Sequence, residues 1–305
     1  MTVSTSDFNM STGFEMRVYL PAARLILLLL CAPLSSADVV LDGTTGGTAG
    51  TSVGAGNGFT YDIQSSLGNV KSSNLFHSFS EFDIAVTEHA NFTGDAAINN
   101  IIARITGGES SSIAGRITSS IDSASLWLIN PSGFLFANGA VVDIDGAFNL
   151  STADFIEFAN DARFYADLSN DSVLTSAAIS SFGFIGSAGG SISFTSDRAS
   201  SIGEDRSSGQ NINVNSQFIL MDESTIFSQE INVTSGNAEL GDIDIYDSRL
   251  ETVEGGIYFQ GGNILSVDST IFNRGRRQRH RNRFYLSRGS RRGWCKCHSI
   301  RFGRS

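Results

Sequence analysis

The sequence predicts an all-β chain, a right-handed parallel β-helix (a solenoid) with capping strands at its N-terminal end, and two observations predict it. Short segments alternating apolar and polar residues recur at intervals of about twenty residues through the second half, the pattern of stacked strands that each bury one face. The chain also holds 32 Gly and 22 Phe against only 3 Pro, so it turns on glycine and fills its interior with Phe and aliphatic side chains. Hydrophobic residues make up 41% and charged ones 17%, which excludes a disordered acidic tail, a collagen and a polytopic membrane protein. A length of 305 residues holds one large domain or two ordinary ones.

In chain order, Met16-Arg17 precedes Arg24, an apolar run to Ala32, and Ser35-Ser36-Ala37 with small residues at the −3 and −1 positions. This reads as a signal peptide over residues 1–37, cleaved after Ala37, because the apolar run is too short to span a bilayer. Asp7 and Glu15 make the segment before Met16 unusual for a leader, so Met16 is an alternative start. Leu30 before Cys31 argues against a lipoprotein anchor.

The body, residues 38–273, carries 7 basic and 29 acidic residues, a net of −22, and no cysteine. A disulfide framework, a thiolate metal site and a cysteine nucleophile are thereby excluded from it, and its charge argues against nucleic acid as a partner. Residues 274–305 reverse the balance, with 12 Lys or Arg and no acid.

The motif-bearing part, residues 38–154, opens with Val39-Val40-Leu41 and Tyr61-Asp-Ile63 between glycine turns. It continues through Asn74-Leu75-Phe76-His77-Ser78-Phe79, then Asn100-Ile101-Ile102-Ala-Arg104-Ile105-Thr106-Gly107-Gly108, then Leu126-Trp127-Leu128-Ile129-Asn130-Pro131-Ser132-Gly133. Asn130 to Gly133 reads as a type I turn, with Asn at the first position, Pro131 fixing φ at the second and Gly133 at the fourth. Pro131 is the body's only proline, which places it at a coil corner where no ladder donor is missed. His77 is expected to be a hydrogen-bonded structural residue, and Trp127 to pack under a cap or coil.

Repeat coils run from about 190 to 273. One series holds Ile192-Ser-Phe194, Ile212-Asn-Val214, Ile231-Asn-Val233 and Ile257-Tyr-Phe259, with first residues 20, 19 and 26 apart. A second holds Ser224-Thr-Ile226, Ser248-Arg-Leu250 and Ser269-Thr-Ile271, spaced 24 and 21. A β-sandwich would also use short alternating strands, but the near-constant spacing favours stacked coils.

The ordered motifs between Asp38 and Asp154 resemble the N-terminal secretion domain of two-partner secreted exoproteins, the filamentous haemagglutinin or haemagglutination-activity domain family. That family carries a strand like Asn74 to Phe79, a segment like Asn100 to Gly108, and an Asn-Pro-Asn-Gly turn followed by a hydrophobic strand. This chain departs at Ser132, where the family prefers Asn, and lacks a separate Asn-Pro-Asn-Leu turn. The resemblance implies export by the general secretory machinery, an unfolded periplasmic stage, and recognition by the POTRA domains of a dedicated outer-membrane β-barrel transporter. It implies that the chain is secreted or displayed at the cell surface, and an adhesin-like role with a host-cell or surface glycan target. The transporter-recognition candidates are Asn74, Phe76, Asn100, Ile101, Arg104, Thr106, Gly107, Gly108, Asn130, Pro131, Ser132 and Gly133.

No catalytic residue, metal ligand or cofactor is expected. Val142-Asp143-Ile144-Asp145-Gly146 lacks the later ligands of a calcium loop, and His77 and His89 have no recognisable serine or cysteine partner motif. A self-contained surface-binding adhesin is the main alternative, and a polysaccharide-degrading β-helix enzyme the lesser one. After Ile271-Phe272-Asn273 the alternation, the acids and the Gly-Ser turns vanish together. The Arg-rich tail, residues 274–305, is therefore read as disordered or out of frame in a truncated passenger, with a genuine basic arm as the rival.

Overall fold

The computed structural model describes residues 38–54, 59–137, 139–185, 189–195, 201–202, 211–235, 241–252, 255–273, 285–288 and 297–298. The leader, the Met16 start and the Ala37 cleavage site lie outside them, as does the basic tail except for two short strands, Tyr285–Arg288 and Cys297–His298.

The described chain is all β apart from one 3-10 turn, Ser65–Leu67. Each full coil supplies a strand to each of three parallel sheets, as in Ser125–Ile129, Gly133–Phe136, Val141–Asp143 and back to Phe148–Ser151. We call these the first, second and third faces in the order in which the chain visits them. Period-two alternation sends one set of side chains inward on every face. Vertical register then builds a column on the first face from Leu75, Ile101, Leu126, Phe148, Ile212, Ile231 and Ile257. All seven are buried in one core. No single strand buries enough to stand alone, so the stack supplies the stability.

The second repeat series is confirmed in register, with Ile226, Leu250 and Ile271 stacked on the third face. Each of its serines follows an acidic residue with positive φ: Glu223, Asp247 and Asp268. Ser248 Oγ accepts from the Ser224 amide at 3.1 Å, and Ser269 Oγ from the Ser248 amide at 3.2 Å. The first series needs correction. Ile192 belongs to the second face, between Phe134 and Ile219, and not below Ile212. Alternation marks a strand but not its face, because all three faces share the same inward period.

Two additions flank the coils. Strands Val39–Leu41 and Asn69–Lys71 run antiparallel along the edge of Asn74–Phe82 that faces away from Asn100–Ile105, which covers a row of otherwise open backbone groups. Residues 155–185, to which the sequence reading assigned no element, hold an antiparallel sheet of Arg163–Tyr165, Phe155–Phe158 and Ile179–Gly183. This sheet lies on the outside of the first face and closes a second core with Phe76, Ile102 and Ile129.

Candidate functional site

Strands Asn74–Phe82 and Asn100–Ile105 are buried on both faces, because the solenoid interior takes one set of side chains and the outer sheet covers the other. Ile101 points inward, stacked between Leu75 and Leu126. Asn74, Phe76, Asn100 and Arg104 lie on the outer side. Phe76 meets Phe164 edge-on at 5.1 Å between ring centroids and Phe158 at 5.9 Å, a geometry that aromatic pairs prefer. Asn74 donates from Nδ2 to the carbonyls of Ala177 at 2.9 Å and Thr175 at 3.0 Å. Its Oδ1 accepts from Asn100 Nδ2 at 2.9 Å, and Asn100 Oδ1 accepts from Trp127 Nε1 at 3.3 Å. Trp127 packs 5.4 Å from the Phe182 ring, so what covers it is the outer sheet.

Arg104 ties four segments together and is only 3% exposed. Its Nε donates to Ser78 Oγ at 2.6 Å, its terminal nitrogens to Thr44 Oγ1 at 2.8 Å, to Ser172 Oγ at 2.9 Å and to the Tyr165 carbonyl, and its guanidinium lies 4.3 Å from the Phe164 ring centroid. Burial pulls its pKa down, and the Asp42 carboxylate opposes that shift. Burial raises the Asp42 carboxyl in turn, but hydrogen bonds from Ser78, Thr44 and Thr106 outweigh it and leave the pKa below the usual value. Thr106 Oγ1 donates to Asp42 Oδ2 at 3.0 Å and Thr44 Oγ1 to Asp42 Oδ1 at 2.7 Å.

The two glycines after Thr106 answer different demands. A Cβ on Gly107 would sit 2.0 Å from the Ser80 carbonyl oxygen, whereas Gly108 has open space around it and φ of +85°. One permits close approach between coils and the other a left-handed turn.

The turn at Asn130–Gly133 has a separate set of partners at the corner from the first to the second face. The Gly133 amide donates to the Asn130 carbonyl at 3.0 Å and the Ser132 amide to Asn130 Oδ1 at 3.0 Å, as the turn reading expected. Asn130 Nδ2 reaches back one coil to the Glu109 carbonyl at 3.0 Å and Ser111 Oγ at 3.1 Å. The Pro131 carbonyl accepts from the Gly190 amide at 2.7 Å. Gly133 has φ of +112°, and a Cβ there would approach the Ser191 carbonyl oxygen to 2.5 Å.

The structure therefore gathers Asn74, Phe76, Asn100, Arg104 and Thr106 beneath and beside the outer sheet, and leaves Ile101 in the interior and the Asn130 turn at a corner. Sequence reasoning missed Asp42, Thr44, Phe164 and Ser172 as partners of this cluster. The signal for a covering layer was the consecutive apolar residues Ile101-Ile102-Ala103 and Leu126-Trp127-Leu128-Ile129, which leave no face of those strands for solvent.

His77 is not hydrogen-bonded as expected: it is fully buried, and among the described residues neither ring nitrogen has a partner. His89 Nε2 lies 2.6 Å from Thr118 Oγ1, with its pKa lowered by burial and then by Arg116. Asp143 accepts from Arg116 at 2.7 Å, a half-exposed ion pair.

A search of curated proteins finds no match to the chain. A family model described as the TPS secretion domain matches residues 37–274. The chain belongs to the TPS secretion domain family, the secretion domains of two-partner secreted exoproteins.

Proposed function

We propose that residues 38–273 are the part of an adhesin-like exoprotein that POTRA domains of its outer-membrane transporter recognise in the unfolded state, and that they wind into the solenoid outside the cell. The observation that carries this reading is the family match over residues 37–274. General secretory machinery delivers the chain and removes residues 1–37 after Ala37. Antiparallel strands 39–41 and 69–71 act as the cap on the first coil. Contact with a host-cell or surface glycan belongs to passenger sequence, and the tail 274–305 is out of frame.

Burial of the candidates favours recognition before folding. Asn74, Phe76, Ile101, Arg104 and Asn130 are at most 3% exposed, so a partner that reads these side chains reads them before the coils and outer sheet close over them. The stacked architecture suits such a handover, because coils add one at a time onto a neighbour.

The test is a binding assay with immobilised POTRA domains of the cognate transporter, comparing chain freshly diluted from urea with refolded chain. The unfolded chain is expected to bind, more weakly with Asn130→Ala or Phe76→Ala, and the refolded chain to bind poorly. Equal or tighter binding by the refolded domain overturns the reading.

A further inference from the structure

His77 fills the end of the solenoid interior. Its ring stacks on Phe79 at 5.8 Å between centroids with an interplanar angle of 18°, and lies 5.8 Å from the ring of Phe92. Ala103 is in register with it on the next coil. A Cβ on Gly68 would come within 2.9 Å of its Nδ1 and Cε1, so the turn that follows Ser65–Leu67 lies directly against the ring. An imidazole always carries at least one N–H, and burying it without a partner costs stability that an apolar side chain at this position would not. An imidazolium there would be an unpaired charge among aromatic rings.

We propose that His77 makes the first coil an acid-sensitive latch, closed while the imidazole is neutral and released when the ring takes a proton that the folded interior cannot hold. Phe79, Phe92, Ala103 and Gly68 face the ring, and none of them titrates. Lys71, Glu81, His89 and Arg104 are the charged and titratable residues on the elements around it, and burial lowers its pKa from 6.5 to about 3. The folded state thus disfavours a proton that the unfolded chain accepts. This contribution to stability is complete above about pH 6.5 and is lost progressively as pH falls towards about 3. The inference concerns folding alone and does not depend on the transporter reading.

Urea unfolding of the full chain at pH 7.5 and pH 4.5, in wild type and His77→Leu, tests it. On going to pH 4.5 the unfolding constant of wild type is expected to rise about a hundredfold more than that of the variant. Parallel pH dependence in the two proteins overturns the proposal. A second measurement needs no variant: the assigned His77 ring Cε1–H resonance of the folded wild type, followed by NMR through the same pH range. It is expected to keep its neutral-imidazole shift, and a titration midpoint near 6.5 with native chemical-shift dispersion intact overturns the latch.

Discussion

One row on the outside of the first face runs Phe76, Ile102, Trp127, Asn149, Asn213, Asn232, Tyr258 down successive coils. The strand geometry is constant along it, yet the chemistry changes after the third residue. Phe76, Ile102 and Trp127 sit against the outer antiparallel sheet. Asn149, Asn213 and Asn232 instead form an amide ladder, with Asn213 Nδ2 donating to Asn149 Oδ1 at 2.8 Å and Asn232 Nδ2 to Asn213 Oδ1 at 2.9 Å. The solenoid fixes which side of a strand a residue takes, and whatever lies over that side fixes its polarity. The early coils are thus a two-core assembly and the later coils a single-core stack.

The largest effect expected from this contrast lies where the early coils press closest. Gly107→Ala places a Cβ against the Ser80 carbonyl oxygen, where backbone must move, and is expected to cost more than about 4 kcal/mol or to abolish folding. Gly108→Ala, with open space and only a left-handed φ to strain, should cost about 1–2 kcal/mol. Urea midpoints for the pair separate close approach from backbone conformation, and equal losses would mean that the coils are not clamped at Gly107.

The second test compares two positions in the row itself. Phe76→Ala empties the outer core and should cost about 3–5 kcal/mol, whereas Asn232→Ala removes one ladder rung worth about 1 kcal/mol. Denaturation that shows the two as equivalent would mean that the outer sheet adds little to the early coils.

The third and smallest effect is electrostatic. Asp42, in the early network, has its pKa lowered by hydrogen bonds that outweigh burial. Asp244, on a later coil, has its pKa raised by burial and by Asp242. The signs are opposite. A lowered folded pKa gives stability present above the unfolded value near 3.8 and lost as pH falls through the folded one, while a raised pKa lets protonation stabilise the fold as pH falls. Asp42→Asn should flatten the acid-side fall in the urea midpoint below about pH 4, and Asp244→Asn should raise the midpoint at neutral pH. A steeper fall in Asp42→Asn would break the assignment.

Much of this architecture was legible in the residues because it rests on short-range rules. Alternation at Ile212, Ile231 and Ile257 marks strands, the steps from Ser224 to Ile226, Ser248 to Leu250 and Ser269 to Ile271 mark a second stacked series, and Asn130 to Gly133 encodes its own turn. The resemblance to the secretion-domain family likewise rested on ordered local motifs. Less legible was which face a strand joins, as Ile192 shows, since that depends on how much chain separates two corners.

What the sequence by itself determined is the coil: period-two patterning, glycine corners and a cysteine-free acidic body leave a stacked parallel solenoid as the arrangement that buries the alternating residues. Tertiary structure alone decided the outer layer and the Arg104–Asp42 network. Residues 155–185 carry no period matching the coils, and Thr44, Ser78, Arg104 and Ser172 lie up to 128 residues apart in sequence. Their contacts exist only after the coils are stacked and the antiparallel sheet has folded back over them. Nor could patterning show that His77 would lack a partner among the described residues, because an inward position specifies burial, while hydrogen bonding depends on what the neighbouring coils bring to the same point.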